Sequence, residues 1–194
     1  MADAHIPDRS EALTLMQSHI QDENLRRHCL AVEAVMRHFA GESGEDEEKW
    51  GIIGLVHDLD WEEHPEDHCT YTERWLREAG WPEDYIHAVM SHAWGMCTDV
   101  EPVHHMEKVL YTIDELTGLV TATALVRPSR SLHDLSVKSV RKKWKEKSFA
   151  AGANRDVIER GAGMVGMELS EVIEHTIRGM RAVAPELGLE GSAA

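Results

Sequence analysis

A histidine and an aspartate lie side by side in a segment that is otherwise apolar. His57 and Asp58 sit in the run Leu-Val-His-Asp-Leu at 55–59, and residues 51–59 predict a buried apolar helix. Burying an imidazole and a carboxylate without partners costs free energy. A metal ion would satisfy both groups at once, because imidazole nitrogen and carboxylate oxygen are common ligands for divalent transition metals. The pair therefore predicts a metal site if other segments supply further ligands.

Four more imidazole or carboxylate groups fall at helix starts or on apolar helical stripes. His28 repeats at helical spacing with Val32, Val35 and Phe39, so its ring is predicted to face the core. One such histidine alone is more often a hydrogen-bonded core residue than a ligand. The other three candidates are His68 (after a helix start at 65–67), His92 (at the end of a helix that starts near 81–84) and Asp114 (inside an apolar helix over 106–125). The recurrence of the pattern in successive segments favours a metal centre.

These six groups predict one or two divalent metals per chain. His28, His57, Asp58 and Asp114 suffice for one metal with open positions, and open positions distinguish catalytic from structural sites. If His68 and His92 join them, Asp58 can bridge two metals that clamp a phosphoryl group and a nucleophilic water. The donor set favours manganese, iron, nickel, zinc or cobalt, and the metal's identity stays open.

Two carboxylates are the candidates for catalytic roles. Asp58 is one, as the predicted bridge. Asp60 is the other, two residues further on, and it reaches the site only if the helix ends or bends, because two helical residues turn through about 200°. Three alternatives stay open for Asp60: an acceptor for a ligand histidine, a proton donor to a leaving group, or an exposed residue at a helix end.

The order His, His-Asp, Asp on successive helices resembles the HD-domain superfamily of metal-dependent phosphohydrolases. His28, the 57–58 pair and Asp114 match its motif, while His68 and His92 match the extra histidines of the binuclear HDIG-type branch. The resemblance covers residues 24–121. One departure leaves the subfamily open, since this chain has an aspartate at position 60, where the HDIG branch has glycine.

The resemblance implies a hydrolase that acts on a small phosphorylated metabolite or nucleotide, as a phosphomonoesterase or phosphodiesterase, with a metal-activated water as nucleophile. Two alternatives remain. The same six-ligand arrangement resembles that of the mixed-valent di-iron oxygenases in this superfamily. A non-catalytic regulatory domain that retains metal for folding is the other, although the sequence shows no linker to a partner domain.

A basic region in a strongly acidic chain predicts where a substrate anion binds. Between Arg127 and Lys147 there are eight Lys or Arg residues and two acidic ones, whereas the whole chain has a net charge of −15. Arg127 and Arg130 lie in a proline-containing loop directly after the Asp114 helix, and arginine binds phosphate through two parallel hydrogen bonds. They are the predicted substrate-binding residues. The lysines further along instead suit a solvated helix face.

Length and helical patterns predict one all-α domain that spans residues 1–194, and the resemblance implies a helical bundle of the HD-domain type. Its metal-binding core is expected at about 20–125 and a helical extension at about 126–189. The acidic net charge argues against nucleic acid and against an anionic membrane surface as partners. The sequence has three cysteines without a CxxC pair, no signal-like start and no long apolar run. These features predict a reduced, cytoplasmic protein, and its oligomeric state stays open.

Overall fold

A computed structural model describes residues 5–191, and the regular secondary structure in this part of the chain is all helical, with no β-strand, as the sequence predicts. Most helices begin after a side chain that can accept hydrogen bonds from the first free backbone N–H groups. The helices are α1 (Arg9–His19), α2 (Glu23–Ser43), α3 (Glu47–Leu55), a short 3-10 helix (Pro65–Asp67), α4 (Thr70–Glu78), α5 (Glu83–Ser91), α6 (His105–Leu125), α7 (Val137–Trp144), α8 (Arg155–Val165) and α9 (Leu169–Arg181).

Capping side chains fix where these helices start. Asp22, the N-cap of α2, accepts a hydrogen bond from the Leu25 amide at 2.9 Å. Asn154 caps α8 in the same way. At α1, Asp8 and Glu11 cap each other's backbone N–H groups reciprocally. Local sequence therefore defines the helix starts before any tertiary packing is considered.

The two longest helices, α2 and α6, form the centre of the bundle. Helix α3 packs against α2, α8 packs against α6, and α9 packs against α2 and α6. The approach of α9 to α2 is close, since a Cβ added at Gly179 would lie 2.7 Å from the Cα of Val35. The C-terminal third thus closes over the helices that carry His28 and Asp114.

Two predicted helices end earlier or begin later than the sequence suggests. Helix α3 ends at Leu55, so the His57–Asp58 pair lies in the turns that follow the helix and not within it. His68 lies between the 3-10 helix and α4, beside Cys69, which has a left-handed backbone with φ of 75°. Periodicity cannot detect the end of α3 because apolar residues continue across it.

No helix within residues 5–191 combines the length and the apolar character that crossing a bilayer requires. The sequence's three cysteines form no disulfide: Cys29 and Cys69 are buried as free thiols and Cys97 is exposed.

Candidate metal centre

Four of the predicted ligands converge from three separate segments. His28 comes from α2, the 57–58 pair from the turn after α3, and Asp114 from the middle of α6, and one ligand atom of each lies within 4.8 Å of the others. His28 Nε2 is 2.9 Å from Asp114 Oδ1 and 3.2 Å from His57 Nε2. Atoms that bind one ion at about 2.1 Å in neighbouring positions lie about 3.0–3.4 Å apart. These spacings fit a metal ion.

Asp58 joins this group to the two remaining histidines. Its Oδ2 atom lies 3.3 Å from His57 Nε2 and 3.5 Å from His28 Nε2. Its Oδ1 atom lies 3.5 Å from His68 Nε2 and 3.6 Å from His92 Nε2. The histidine nitrogens of the second pair are 3.0 Å apart. Each oxygen of one carboxylate therefore faces a different pair of imidazoles, which is the arrangement of a bridging ligand.

All four imidazoles present Nε2 to the centre because Nδ1 is engaged elsewhere. His57 Nδ1 donates to the Gly54 carbonyl at 2.8 Å, and His92 Nδ1 donates to the Val89 carbonyl at 2.6 Å. His28 Nδ1 lies 3.3 Å from the Thr117 hydroxyl. A hydrogen bond at one ring nitrogen fixes the tautomer and leaves the other nitrogen as a metal ligand. The four rings are thus oriented as metal ligands are.

Asp60 performs this orienting role for His68. Its Oδ1 accepts from His68 Nδ1 at 2.8 Å and from the Cys69 amide at 3.2 Å, while Oδ2 accepts from the amides of Tyr71 and Thr72. Burial alone would raise the pKa of Asp60, but these hydrogen bonds outweigh it and lower the pKa. Asp60 is fully buried behind the ligand and both its oxygens are engaged. This placement disagrees with a catalytic proton donor and matches an acceptor that positions His68.

The ligand carboxylates and imidazoles strongly perturb each other's pKa values. Burial alone would lower the pKa of His28, but its contacts with Asp114 and Asp58 outweigh burial and raise it to about 9. The pKa of His57 also lies well above its usual range, again against the effect of burial, because of the charges of Asp58 and Asp114. Burial alone would raise the pKa of each carboxyl group, yet the adjacent imidazoles hold both well below the usual range. The metal-free centre therefore pairs ionised carboxylates with protonated imidazoles, and a bound cation would take the place of those protons.

Sequence analysis missed one further donor at the second subsite. The Cys69 thiol lies within 4.8 Å of ligand nitrogens of His68 and His92, and all three residues are buried. Burial raises the pKa of this thiol well above its usual range, and the nearby carboxylates Asp60 and Asp58 add to the effect. Its adjacency to His68 was the only available signal, since a lone cysteine has no spacing motif.

The centre opens into a cavity of about 950 Å³. Besides the ligands, acidic side chains from Asp22, Glu62 and Glu115 line it, and Trp61 and Met96 form an exposed apolar part of its rim. No lysine or arginine is among the lining residues in the described part of the chain. The cavity is therefore large enough for a small molecule to reach the ligand atoms. Any negative charge on that molecule would have to be bound by groups other than lysine or arginine side chains.

Glu115 is part of this wall. Its Oε2 atom accepts a hydrogen bond from the Asn154 amide at 3.0 Å, which connects α6 to the start of α8. Burial, reinforced by the adjacent Asp114 charge, raises the pKa of Glu115 to about 7. The residue therefore ties the helix that carries Asp114 to the segment before α8.

The structure does not bring the two predicted anion-binding arginines to the site. Arg127 is more than ten helical residues beyond Asp114, or about 18 Å along α6, and its guanidinium donates to Asp134 and Ser139. Arg130 follows it with φ of 47°. Neither lines the cavity. Both lie away from the cavity because α6 continues beyond the ligand and carries the loop to its far end.

No family model matches the chain, and no curated protein matches it.

Proposed function

We propose that this protein is a metal-dependent phosphohydrolase with a binuclear centre, of the kind implied by the resemblance to the HD-domain superfamily. One observation carries the proposal: the two oxygens of Asp58 face two different pairs of imidazole Nε2 atoms at the floor of an open cavity. A structural metal site needs no such opening, because its protein ligands close the coordination shell. The cavity is what favours a catalytic site over a regulatory domain.

Six residues would hold the metals. His28, His57 and Asp114 would bind one, His68 and His92 the other, and Asp58 both. Metals so placed supply a water of lowered pKa and positive charge for a phosphoryl group. Asp60 holds His68 in the required orientation, and the cavity admits a substrate the size of a small phosphorylated metabolite or nucleotide.

The absence of cationic side chains from the described wall of the cavity favours one alternative. A di-iron oxygenase of the same superfamily would use the same six ligands, and a substrate of low negative charge would need no arginine or lysine. Iron with oxygen-dependent turnover would identify this activity. Hydrolysis of a phosphoester under anaerobic conditions would identify the phosphohydrolase.

Elemental analysis of protein purified without a chelator is the first test, followed by a panel of phosphomonoesters and phosphodiesters with each candidate metal. We expect close to two metals per chain and hydrolysis of at least one compound. Asp58→Asn should abolish both, whereas Asp99→Asn, which changes an exposed aspartate, should change neither. Full metal content in Asp58→Asn would reject the site. Two metals without turnover on any compound, with or without oxygen, would reject the enzyme.

A further inference from the structure

The connection between α7 and α8 forms one wall of the cavity. Ala150, Gly152 and Ala153 of this segment line the cavity. They present no charged side chain, so any anion bound against this wall must be bound by the main chain. The orientation of the peptide groups in residues 145–154 therefore decides what the wall can bind.

One arginine organises this segment from behind. Arg155, the first residue of α8, donates to the carbonyl oxygens of Phe149 at 2.6 Å, Trp144 at 3.1 Å and Ala153 at 3.2 Å. Two longer contacts of 3.4 Å reach the carbonyls at 146 and 150. The guanidinium carbon Cζ lies over the Trp144 ring, 5.8 Å from the ring centroid. The Arg155 side chain thus contacts five carbonyl oxygens of residues 144–153.

The amide groups that follow these carbonyls point the other way. In a trans peptide the N–H group is opposite the preceding carbonyl, and the described chain has no cis peptide bond. Because the carbonyls of Phe149 and Ala150 face Arg155, the N–H groups of Ala150 and Ala151 point away from it. Neither N–H has an acceptor within residues 5–191.

One amide that follows a carbonyl bound to Arg155 donates to a residue of the cavity wall. The Ala153 carbonyl also accepts from Arg155, and the following N–H, that of Asn154, donates to Glu115. Glu115 lines the cavity. Ala150 also lines the cavity, and its unpaired N–H, like that of Asn154, follows a carbonyl that accepts from Arg155.

We infer that the main-chain N–H groups of Ala150 and Ala151 form an oxyanion-binding site, held in place by Arg155, for a phosphoryl or other anionic group of the substrate. Consecutive N–H groups around a left-handed residue form a concave anion site, and Ala150 has φ of 46°. The site supplies the donors that the cavity's side chains lack. The inference rests on the proposed function only for the identity of the anion.

The wall allows a direct test at Gly152. A Cβ at this position would meet no atom within 4 Å, and its backbone is outside the left-handed region, so a side chain fits. Gly152→Asp places a carboxylate on the cavity wall, and Gly152→Asn is a neutral control of the same shape. Arg155→Lys is a second variant, which keeps the charge but lacks the planar fork that reaches several carbonyls.

Inorganic phosphate is the probe, titrated calorimetrically into protein carrying the metal it retains on purification. We expect Gly152→Asp to weaken phosphate binding about tenfold or more relative to Gly152→Asn, as loss of a charge-assisted contact does. Arg155→Lys should also weaken it about tenfold and speed hydrogen exchange at 145–153. Metal content should be unchanged in all three.

Wild-type affinity in both Gly152→Asp and Arg155→Lys would overturn the inference, as would wild-type protein that binds no phosphate up to about 10 mM. The failure of the proposed function looks different. Phosphate binding that depends on both positions, without turnover of any phosphoester, retains the anion site and rejects the hydrolase. Turnover with phosphate affinity insensitive to both changes retains the hydrolase and rejects the anion site.

Discussion

Asp60 accepts a hydrogen bond from His68 Nδ1 at 2.8 Å, and this contact leaves His68 Nε2 facing His92 Nε2 at 3.0 Å. The carboxylate is also the acceptor for three backbone amides at the start of α4. One side chain therefore connects the fold of the 60–72 segment to the geometry of one half of the candidate centre.

Asp60→Asn should weaken metal binding at the His68–His92 subsite about ten- to a hundredfold, because the orienting acceptor becomes an amide. Some of the hydrogen bonds that Asp60 accepts from backbone amides at the start of α4 are also lost, which should lower the free energy of unfolding by about 1–3 kcal/mol. Competition with a chelator and urea unfolding measure the two effects. Asp67→Asn, at an exposed position nearby, is the control. Unchanged affinity would remove Asp60 from the centre.

His92→Ala should remove about one metal equivalent and leave the other bound, because His28, His57, Asp58 and Asp114 form a group of their own. His57→Ala should remove the metal of that group. Elemental analysis of each variant gives the counts, with His133→Ala, an exposed histidine, as the control. Unchanged metal content in His92→Ala would remove His92 from the ligand set.

The stability of the metal-free protein should fall as pH rises through 9. The pKa of His28 is about 9 in the folded chain and 6.5 without its partners. A raised pKa stabilises the fold fully below 6.5, and this stabilisation is lost between 6.5 and about 9. Metal affinity should rise over the same interval because the ligands must lose protons. Urea unfolding with and without metal tests both trends. If the free energy of unfolding of the metal-free protein increased over this pH range, the pairing of protonated His28 with the carboxylates would be contradicted.

Arg127→Ala should leave KM and metal content unchanged and cost about 1 kcal/mol of stability. Its guanidinium holds Asp134 and Ser139 rather than lining the cavity. Kinetics on any active phosphoester, together with thermal unfolding, measure both effects. A tenfold increase in KM would restore the sequence-based assignment of this loop to the substrate.

Gly179→Ala should destabilise the fold by about 1–3 kcal/mol, because the new Cβ would lie 2.7 Å from Val35 Cα and push α9 from α2. Gly163→Ala, a helical glycine with no atom within 4 Å of the added Cβ, should instead be neutral or stabilising by up to about 1 kcal/mol. Urea unfolding of the pair tests the packing. Equal stability of the two variants would contradict the close approach of these helices.

Sequence patterns predicted the helices and the ligand types for a physical reason. Apolar repeats at helical spacing, together with caps such as Asp22, are local signals, and a buried His or Asp stands out against them. The same reasoning failed where local and tertiary signals differ. The end of α3 at Leu55 is hidden by apolar residues on both sides, and His68 is placed by Asp60 through tertiary contacts.

The contacts of Arg155 were beyond sequence analysis for a related reason. Its acceptors are main-chain carbonyls, which every residue carries, so no residue type between 144 and 153 marks them. The predicted helix over 106–125 already placed Arg127 more than ten residues beyond Asp114, but the charge pattern carries no information on where along this helix the cavity opens.

The ligand histidines differ in how their outer nitrogens are held, and the difference bears on how readily the centre can change over evolution. His57 and His92 donate to main-chain carbonyls at 54 and 89, which persist whatever side chain occupies those positions. His68 alone depends on a carboxylate, that of Asp60. Substitution at position 60 can therefore weaken the His68–His92 half of the candidate centre, whereas no side-chain change at 54 or 89 removes the carbonyl acceptors of His57 and His92.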